Sequence, residues 1–246
     1  MERPEPVAIL CGGRGTRLQE KTHAIPKPLV EIGGMPIVWH VIRIYAAHGF
    51  RRFLLLTGYR RELIEEFAVG ERWPSGIEVE CVDTGLQTPT GGRVALAAAA
   101  GHLGEGTFAL TYADGVADVD LGAALEFHRA HGDPATVTLV QPYSQWGVAL
   151  LEDGDRVAGF VEKPRTQQWI NGGFFFLEPE ALDYLEPDSV LEREPLERLA
   201  ADRALHGYRH EGFWDCMDTY KDAVLLDDLW QQGDAPWQIW ERAEVG

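Results

Sequence analysis

"LCGGRGTRL", residues 10–18, follows the apolar run "VAIL" at 7–10 and turns it into a hinge built on Gly12, Gly13, Gly15, Thr16 and Arg17. Closely spaced glycines after a strand let backbone amides approach an anion, and a guanidinium beside them can clamp it. Two familiar phosphate loops fail at this stretch. A dinucleotide fingerprint running through Gly13 and Gly15 needs a small residue where Leu18 stands; a Walker loop opening at Gly12 needs glycine and lysine where Arg17 and Leu18 stand. The stretch reads either as a phosphate hinge of another type or as a plain turn.

Downstream, "AIPKPLVEIGGMPI" sets Lys27 between Pro26 and Pro28. Proline and the residue before it avoid helical geometry, so Lys27 is expected in an extended segment that presents its ammonium. On composition alone a solvated lysine fits equally.

Outward from the hinge, "RFLLLT", "IEVECV", "TFALTY" and "ATVTLV" read as strands, and "PIVWHVIRIYAAHG", "RELIEEFAVG", "GGRVALAAAAGHLG" and "LGAALEFHRAHG" as helices between them. This alternation predicts an α/β fold: a Rossmann-like, mostly parallel sheet flanked by helices, with ligands at the carboxyl ends of its strands. After Gln141 the pieces become shorter and more β-like, "WGVALLEDGDRVAGFVEKP" and "GGFFFLEPEALDYL", and are expected to extend the sheet and cover its open edge. No linker or repeat interrupts the chain. Residues 1–246 are therefore read as one domain with two functional lobes, the first over about 1–140 and a smaller, β-rich one with C-terminal helices over about 141–246.

The net charge of −17 argues against unspecific binding to nucleic acid or anionic lipid. Cys11, Cys81 and Cys216 are too few and too scattered for a disulfide framework and read as small core residues. No stretch is apolar enough to span a membrane, and "MERPEPVAIL" lacks the basic flank of a signal peptide, so a cytoplasmic protein is expected.

"GGRGTRL" followed by "IPKPLVEIGGMPI" resembles the signature of the sugar-1-phosphate nucleotidyltransferases. "VDTGLQTPTGGRV", "LTYADGVADVD", "FVEKP", "WINGGFFFLEPE", "EREPLERLA" and "GFWDCMDTYKD" extend the likeness to the glucose-1-phosphate cytidylyltransferase branch over nearly the whole chain. The resemblance implies nucleotidyl transfer from CTP to a sugar 1-phosphate, α-D-glucose 1-phosphate in this branch, with Mg²⁺ as cofactor and a homo-oligomer as the working form; it makes the first lobe nucleotide-binding and the smaller β-rich lobe sugar-binding. It puts Leu10, Gly12, Gly13, Gly15, Thr16, Arg17, Thr90 and Gly91 on the nucleotide and Glu162, Lys163, Asn171 and Gly172 on the sugar phosphate. Arg17 and Lys27 become the catalytic cations, and Asp114 and Asp218 the metal ligands. Bringing two anions together calls for positioning and charge neutralisation, and a rigid guanidinium, a compact ammonium and a carboxylate-held metal supply these.

Other features read as structural. Asp120 is a helix cap and Asp118 an exposed neighbour. His128 and His131, three residues apart on one helix, lack a visible third ligand and are expected on a solvated face. Trp230, Trp237 and Trp240 are expected to pack a terminal helix and tail. The chain departs from the branch in the short crossing "FAVGERWPSGIEVECVDTG" and in "QPYSQWGVAL" beside the expected sugar pocket. Another base, another sugar or cyclitol phosphate, and a nucleotide-sugar-binding regulator without turnover stay open.

Overall fold

The computed structural model describes residues 6–13 and 25–240. After β1 (Val7–Leu10), the short hairpin β2 (Glu31–Ile32) and β3 (Met35–Pro36) leads into α1 (Ile37–Ala47). Strand and helix then alternate: β4 (Arg52–Thr57), α2 (Arg61–Gly70), β5 (Glu78–Asp83), α3 (Thr90–Ala99), β6 (Phe108–Tyr112), the short β7 (Gly115–Ala117) and α4 (Leu121–His131). The second part holds β8 (Ala135–Val140), the hairpin β9 (Val148–Leu151) and β10 (Val157–Val161), and β11 (Ile170–Leu177). α5 (Glu194–Ala201), β12 (Leu205–Arg209), β13 (Trp214–Cys216) and α6 (Tyr220–Gln231) follow.

Seven strands form one sheet in the order β12-β8-β11-β6-β1-β4-β5. β1 runs parallel to β4 and β6, β4 to β5, and β8 to β12; β11 alone is antiparallel to its neighbours. The mostly parallel sheet follows the sequence pattern, but β11 does not extend it. It fills the slot between β6 and β8, because Phe174, Phe175, Phe176 and Leu177 are all buried and a strand without a polar face needs cover on both sides.

Strand alternation divides the core into two layers. Val7 and Ile9 of β1 face the side packed by α1, α4 and α6, while Ala8 and Leu10 face α3 and α5. On the first side Trp230, Trp237 and Trp240 pack around His40 of α1, the packing role expected of them. The β9–β10 hairpin exposes apolar side chains, among them Leu150 and Phe160. Among the described residues no helix is long and apolar enough to cross a membrane.

Two readings of polar residues change. Asp120 does cap α4, accepting from Ala123 N at 2.9 Å, but Asp118 is not simply exposed: its Oδ1 accepts from Phe213 N at 2.7 Å and pairs with His210. His128 is buried, not solvated. It lies seven residues after Leu121, on the same stripe as Ala124 and Leu125, so the helical period carries it into the core.

Candidate active site

The carboxyl ends of β1 and β6 open onto one edge of the sheet, where Lys27 meets two carboxylates. Its Nζ donates to Asp114 Oδ2 at 2.5 Å and to Asp218 Oδ1 at 2.8 Å. Lys27 opens a 3-10 turn, Lys27–Leu29, rather than the extended segment its prolines suggest. Pro28 fits there because an N–H in the first positions of a turn has no acceptor within it. Asp114 sits between β6 and β7, and the antiparallel pairing of β7 with β13 brings the chain around Asp218 alongside it, with Met217 N donating to Asp114 O at 2.9 Å. A capping box of Thr219 and Asp222 then starts α6, and Asp218 N donates to the same Asp222 carboxylate at 3.1 Å. Burial disfavours the Lys27 ammonium, but Asp114 and Asp218 outweigh it and hold the lysine above its ordinary pKa.

Two cavities adjoin this triad, and both are lined by Tyr112 and Asp114. The first, about 290 Å³, has Leu10, Gly12 and Gly13 on one wall and Thr88, Thr90 and Arg93 on another. The second, about 450 Å³, is lined by Asn171, Gly172, Glu192, Trp214, Cys216 and Asp218 among others. Its wall bulges at Gly173, whose φ of +85° suits glycine and whose N–H donates to Asn171 Oδ1 at 2.8 Å. Trp214, itself part of the lining, donates from Nε1 to Gly172 O at 2.8 Å and ties β13 to that wall.

Lys27, Leu10, Gly12, Gly13, Thr90, Asp114, Asn171, Gly172 and Asp218 thus gather around one centre. Gly91 stands beside Thr90 but backs onto Ser189, whose carbonyl a Cβ would meet at 2.9 Å; its glycine is needed for helix packing. Thr90 Oγ1 donates to Glu192 Oε2 at 2.7 Å and accepts from Leu191 N at 2.9 Å, tying α3 to the segment before α5. Glu162 and Lys163 lie on the exposed stretch after β10, outside the lining of both cavities. Gly15, Thr16 and Arg17 lie outside the described residues. Cys11 is buried as expected, whereas Cys216 lines the second cavity; burial, with Asp218 and Asp114 nearby, pushes its thiol up and keeps it protonated.

Three participants escaped the sequence reading. Arg93 is buried, and its guanidinium donates to Thr57 O, Thr84 Oγ1, Gly85 O and Gly12 O, joining the loops that follow β1, β4 and β5. The signal was present: Arg93 lies four residues before Ala97 on the buried face of α3, a place where an arginine needs a reason. Tyr112 and Glu192 carried no such sign. They are 80 residues apart, and the Tyr112 hydroxyl donates to Glu192 Oε1 at 2.7 Å while accepting from Asn171 Nδ2 at 3.2 Å. Burial, then the Glu192 carboxylate, push the Tyr112 phenol far up, so it acts as a neutral donor.

Residues 7–217 match the family model described as nucleotidyl transferase. Proteins named glucose-1-phosphate cytidylyltransferase from Salmonella typhi and Salmonella typhimurium are each 40% identical over 259 residues, covering 95% of this chain and 98% of theirs. The solved structure of UDP-glucose pyrophosphorylase from Acinetobacter baumanii shares the fold with a TM-score of 0.72 at 16% identity, covering 99% of each chain. This chain belongs to the nucleotidyl transferase family.

Proposed function

We propose that the chain is a single nucleotidyltransferase domain that transfers a cytidylyl group from CTP to α-D-glucose 1-phosphate, releasing pyrophosphate and forming CDP-glucose. The observation that carries this reading is the Lys27–Asp114–Asp218 cluster at the junction of two cavities, in a chain 40% identical to glucose-1-phosphate cytidylyltransferases along almost its full length.

In this reading the first cavity takes the nucleoside, with backbone at Leu10, Gly12 and Gly13 and the α3 start at Thr90 and Gly91 around it. Gly15, Thr16 and Arg17 hold the triphosphate. Asn171 and Gly172 receive the sugar in the second cavity, and Glu162 and Lys163 reach its hydroxyls and phosphate from the adjoining segment. An oxygen of the sugar phosphate attacks the α-phosphorus in line; the bond from that phosphorus to the bridging oxygen breaks, and its electron pair leaves with pyrophosphate. Lys27 places a compact positive charge beside the reacting phosphates, and Arg17 steadies the leaving pyrophosphate. Asp114 and Asp218 are half-exposed oxygen donors facing each other across Lys27, a set that fits Mg²⁺, which takes a carboxylate or two and completes its shell with phosphate oxygens and water. Bound there, the ion would neutralise charge on the phosphates as they approach.

The same reading has the enzyme working in the cytoplasm as a homo-oligomer. Exposed apolar side chains on the β9–β10 hairpin support self-association, because a two-stranded hairpin is marginal in water alone.

The test is a matrix of CTP, UTP, dTTP, GTP and ATP against several sugar 1-phosphates, read by pyrophosphate release with Mg²⁺. Fastest release is expected with CTP and glucose 1-phosphate. A faster different pair reassigns the substrates, and silence with every pair favours a binding protein without turnover.

A further inference from the structure

At the opposite edge of the sheet a second polar cluster stands apart from the nucleotidyl-transfer centre. β8 runs in the same direction as β6, since β11 is antiparallel to both. His131 and Asp133 therefore flank the entry to β8, and His206 lies at the start of β12, all at the amino ends of strands whose carboxyl ends face the site described above. Gly132, with φ +71°, closes α4 and folds Asp133 back toward His131. Ligand atoms of His131, Asp133 and His206 all lie within 4.8 Å of one another.

We propose that His131, Asp133 and His206 form a binding site for a divalent transition ion of the zinc class.

A chain of hydrogen bonds prepares His131 for that role. Glu178 Oε1 can only accept, so His128 Nε2, 3.1 Å away, carries the proton. His128 is buried in the core, where the neutral ring is favoured, so its Nδ1 accepts from the Thr136 hydroxyl at 2.9 Å. The Thr136 oxygen in turn accepts from His131 Nε2–H at 2.6 Å. His131 Nδ1 is then the unprotonated nitrogen; it accepts from the Asp133 backbone N–H at 2.9 Å, a hydrogen bond that an ion on this lone pair displaces. Fixing the far ring nitrogen on an outer partner is how metal-binding imidazoles are oriented.

The spacing suits a small ion. Asp133 Oδ2 lies 2.6 Å from His206 Nε2 and 4.0 Å from His131 Nδ1. Tetrahedral ligands about 2.0–2.1 Å from zinc stand about 3.3 Å apart, between those two values. An ion replaces the proton shared by His206 and Asp133, and that pair opens from 2.6 Å by about 0.7 Å to reach the tetrahedral spacing. The rings of His131 and His206 stack at 4.0 Å and 12°, so no ion can lie in both ring planes as they stand. His206 is the more exposed and turns on binding, while Phe127 packs at the edges of both rings and shields them. Two imidazoles and one carboxylate select Zn²⁺, Co²⁺ or Ni²⁺ over Mg²⁺, the reverse of an all-carboxylate pair. Such an ion clips the α4–β8 turn to β12, the edge strand of the sheet.

Untagged, metal-free protein titrated with Co²⁺ in excess Mg²⁺ tests this, the Mg²⁺ keeping the Asp114–Asp218 pair occupied. One equivalent of Co²⁺ giving visible absorption, displaced by Zn²⁺, is expected, together with a rise in melting temperature. His206→Gln or Asp133→Asn should abolish the signal and leave pyrophosphate release unchanged; Thr136→Val, which removes the outer partner, should weaken binding by roughly 10-fold. Absence of bound Co²⁺ under these conditions, or equal binding by wild type and His206→Gln, overturns the proposal.

Discussion

Lys27 and Asp218 are 191 residues apart in the chain and meet at 2.8 Å in the fold. The pairing of β7 with β13 and the capping box of α6 make that meeting possible, since together they set the backbone on either side of Asp218. Asp114→Asn and Asp218→Asn should each abolish Mg²⁺-dependent turnover, and Lys27→Ala should lower kcat on the order of 10² to 10³, the effect of removing one preorganised charge. Steady-state pyrophosphate release checks all three. Normal turnover in both aspartate variants would remove the metal site from this centre.

Arg93 predicts a coupled loss of stability and nucleotide affinity. Arg93→Met takes the guanidinium from the carbonyls of Gly12, Thr57 and Gly85; Thr57 O keeps Thr84 N and Oγ1 and Gly12 O keeps Tyr59 N, so the full cost of an unsatisfied group, roughly 1–3 kcal/mol, falls on Gly85 O. The urea midpoint should fall, and KM for the nucleotide should rise more than KM for the sugar phosphate. Arg93→Lys should recover only part of either effect, because an ammonium cannot span loops that the planar guanidinium joins.

Glu192 predicts a different pattern. Its carboxylate accepts from Tyr112 at one oxygen and from Thr90 at the other, both at 2.7 Å, so it links the walls of the two cavities. Glu192→Ala should raise KM for both substrates, by roughly 10-fold each if one charge-assisted hydrogen bond's worth of order is lost, with kcat changed less. Initial-rate kinetics varying each substrate in turn measure this.

Acid stability should reflect two opposed groups. His40 is buried, its Nε2 bonded to Ile32 O at 2.9 Å and its Nδ1 accepting from Trp237 Nε1, and burial pushes its pKa down to about 4. The unfolded chain takes up that proton near pH 6.5, so this group's stability is complete above 6.5 and is lost as pH falls toward 4, by about 3 kcal/mol. Asp215 acts the other way: burial raises its carboxyl to about 6, so the folded state binds a proton first and gains stability as pH falls from 6 toward 4. Asp215→Asn removes that offset. Its urea midpoint should decline more steeply than wild type between pH 6 and 4, and parallel curves would show that Asp215 does not titrate in that window.

Much of the sheet was legible because each strand and helix before Val140 carries its own period and its own stop. The slot taken by β11 was not, since "GGFFFL" is apolar on both faces and fits any interior position. Asp114 stood at a strand end, where α/β sheets bind ligands. Its meeting with Asp218 came from the family likeness, because no local pattern links residues joined only through β7 and β13. His128 was misread although its spacing from Leu121 was the core period; a histidine's polarity outweighed its position. His206 was invisible as a partner of His131, because their contact depends on the parallel register of β8 and β12.

The most direct measurement follows product formation in a mixture of the protein, CTP, glucose 1-phosphate and Mg²⁺ by phosphorus NMR. Equal amounts of CDP-glucose and pyrophosphate, appearing only when both substrates are present, are predicted. CTP breakdown without the sugar phosphate, or nucleotide-sugar binding with no pyrophosphate formed, would contradict nucleotidyl transfer at this centre.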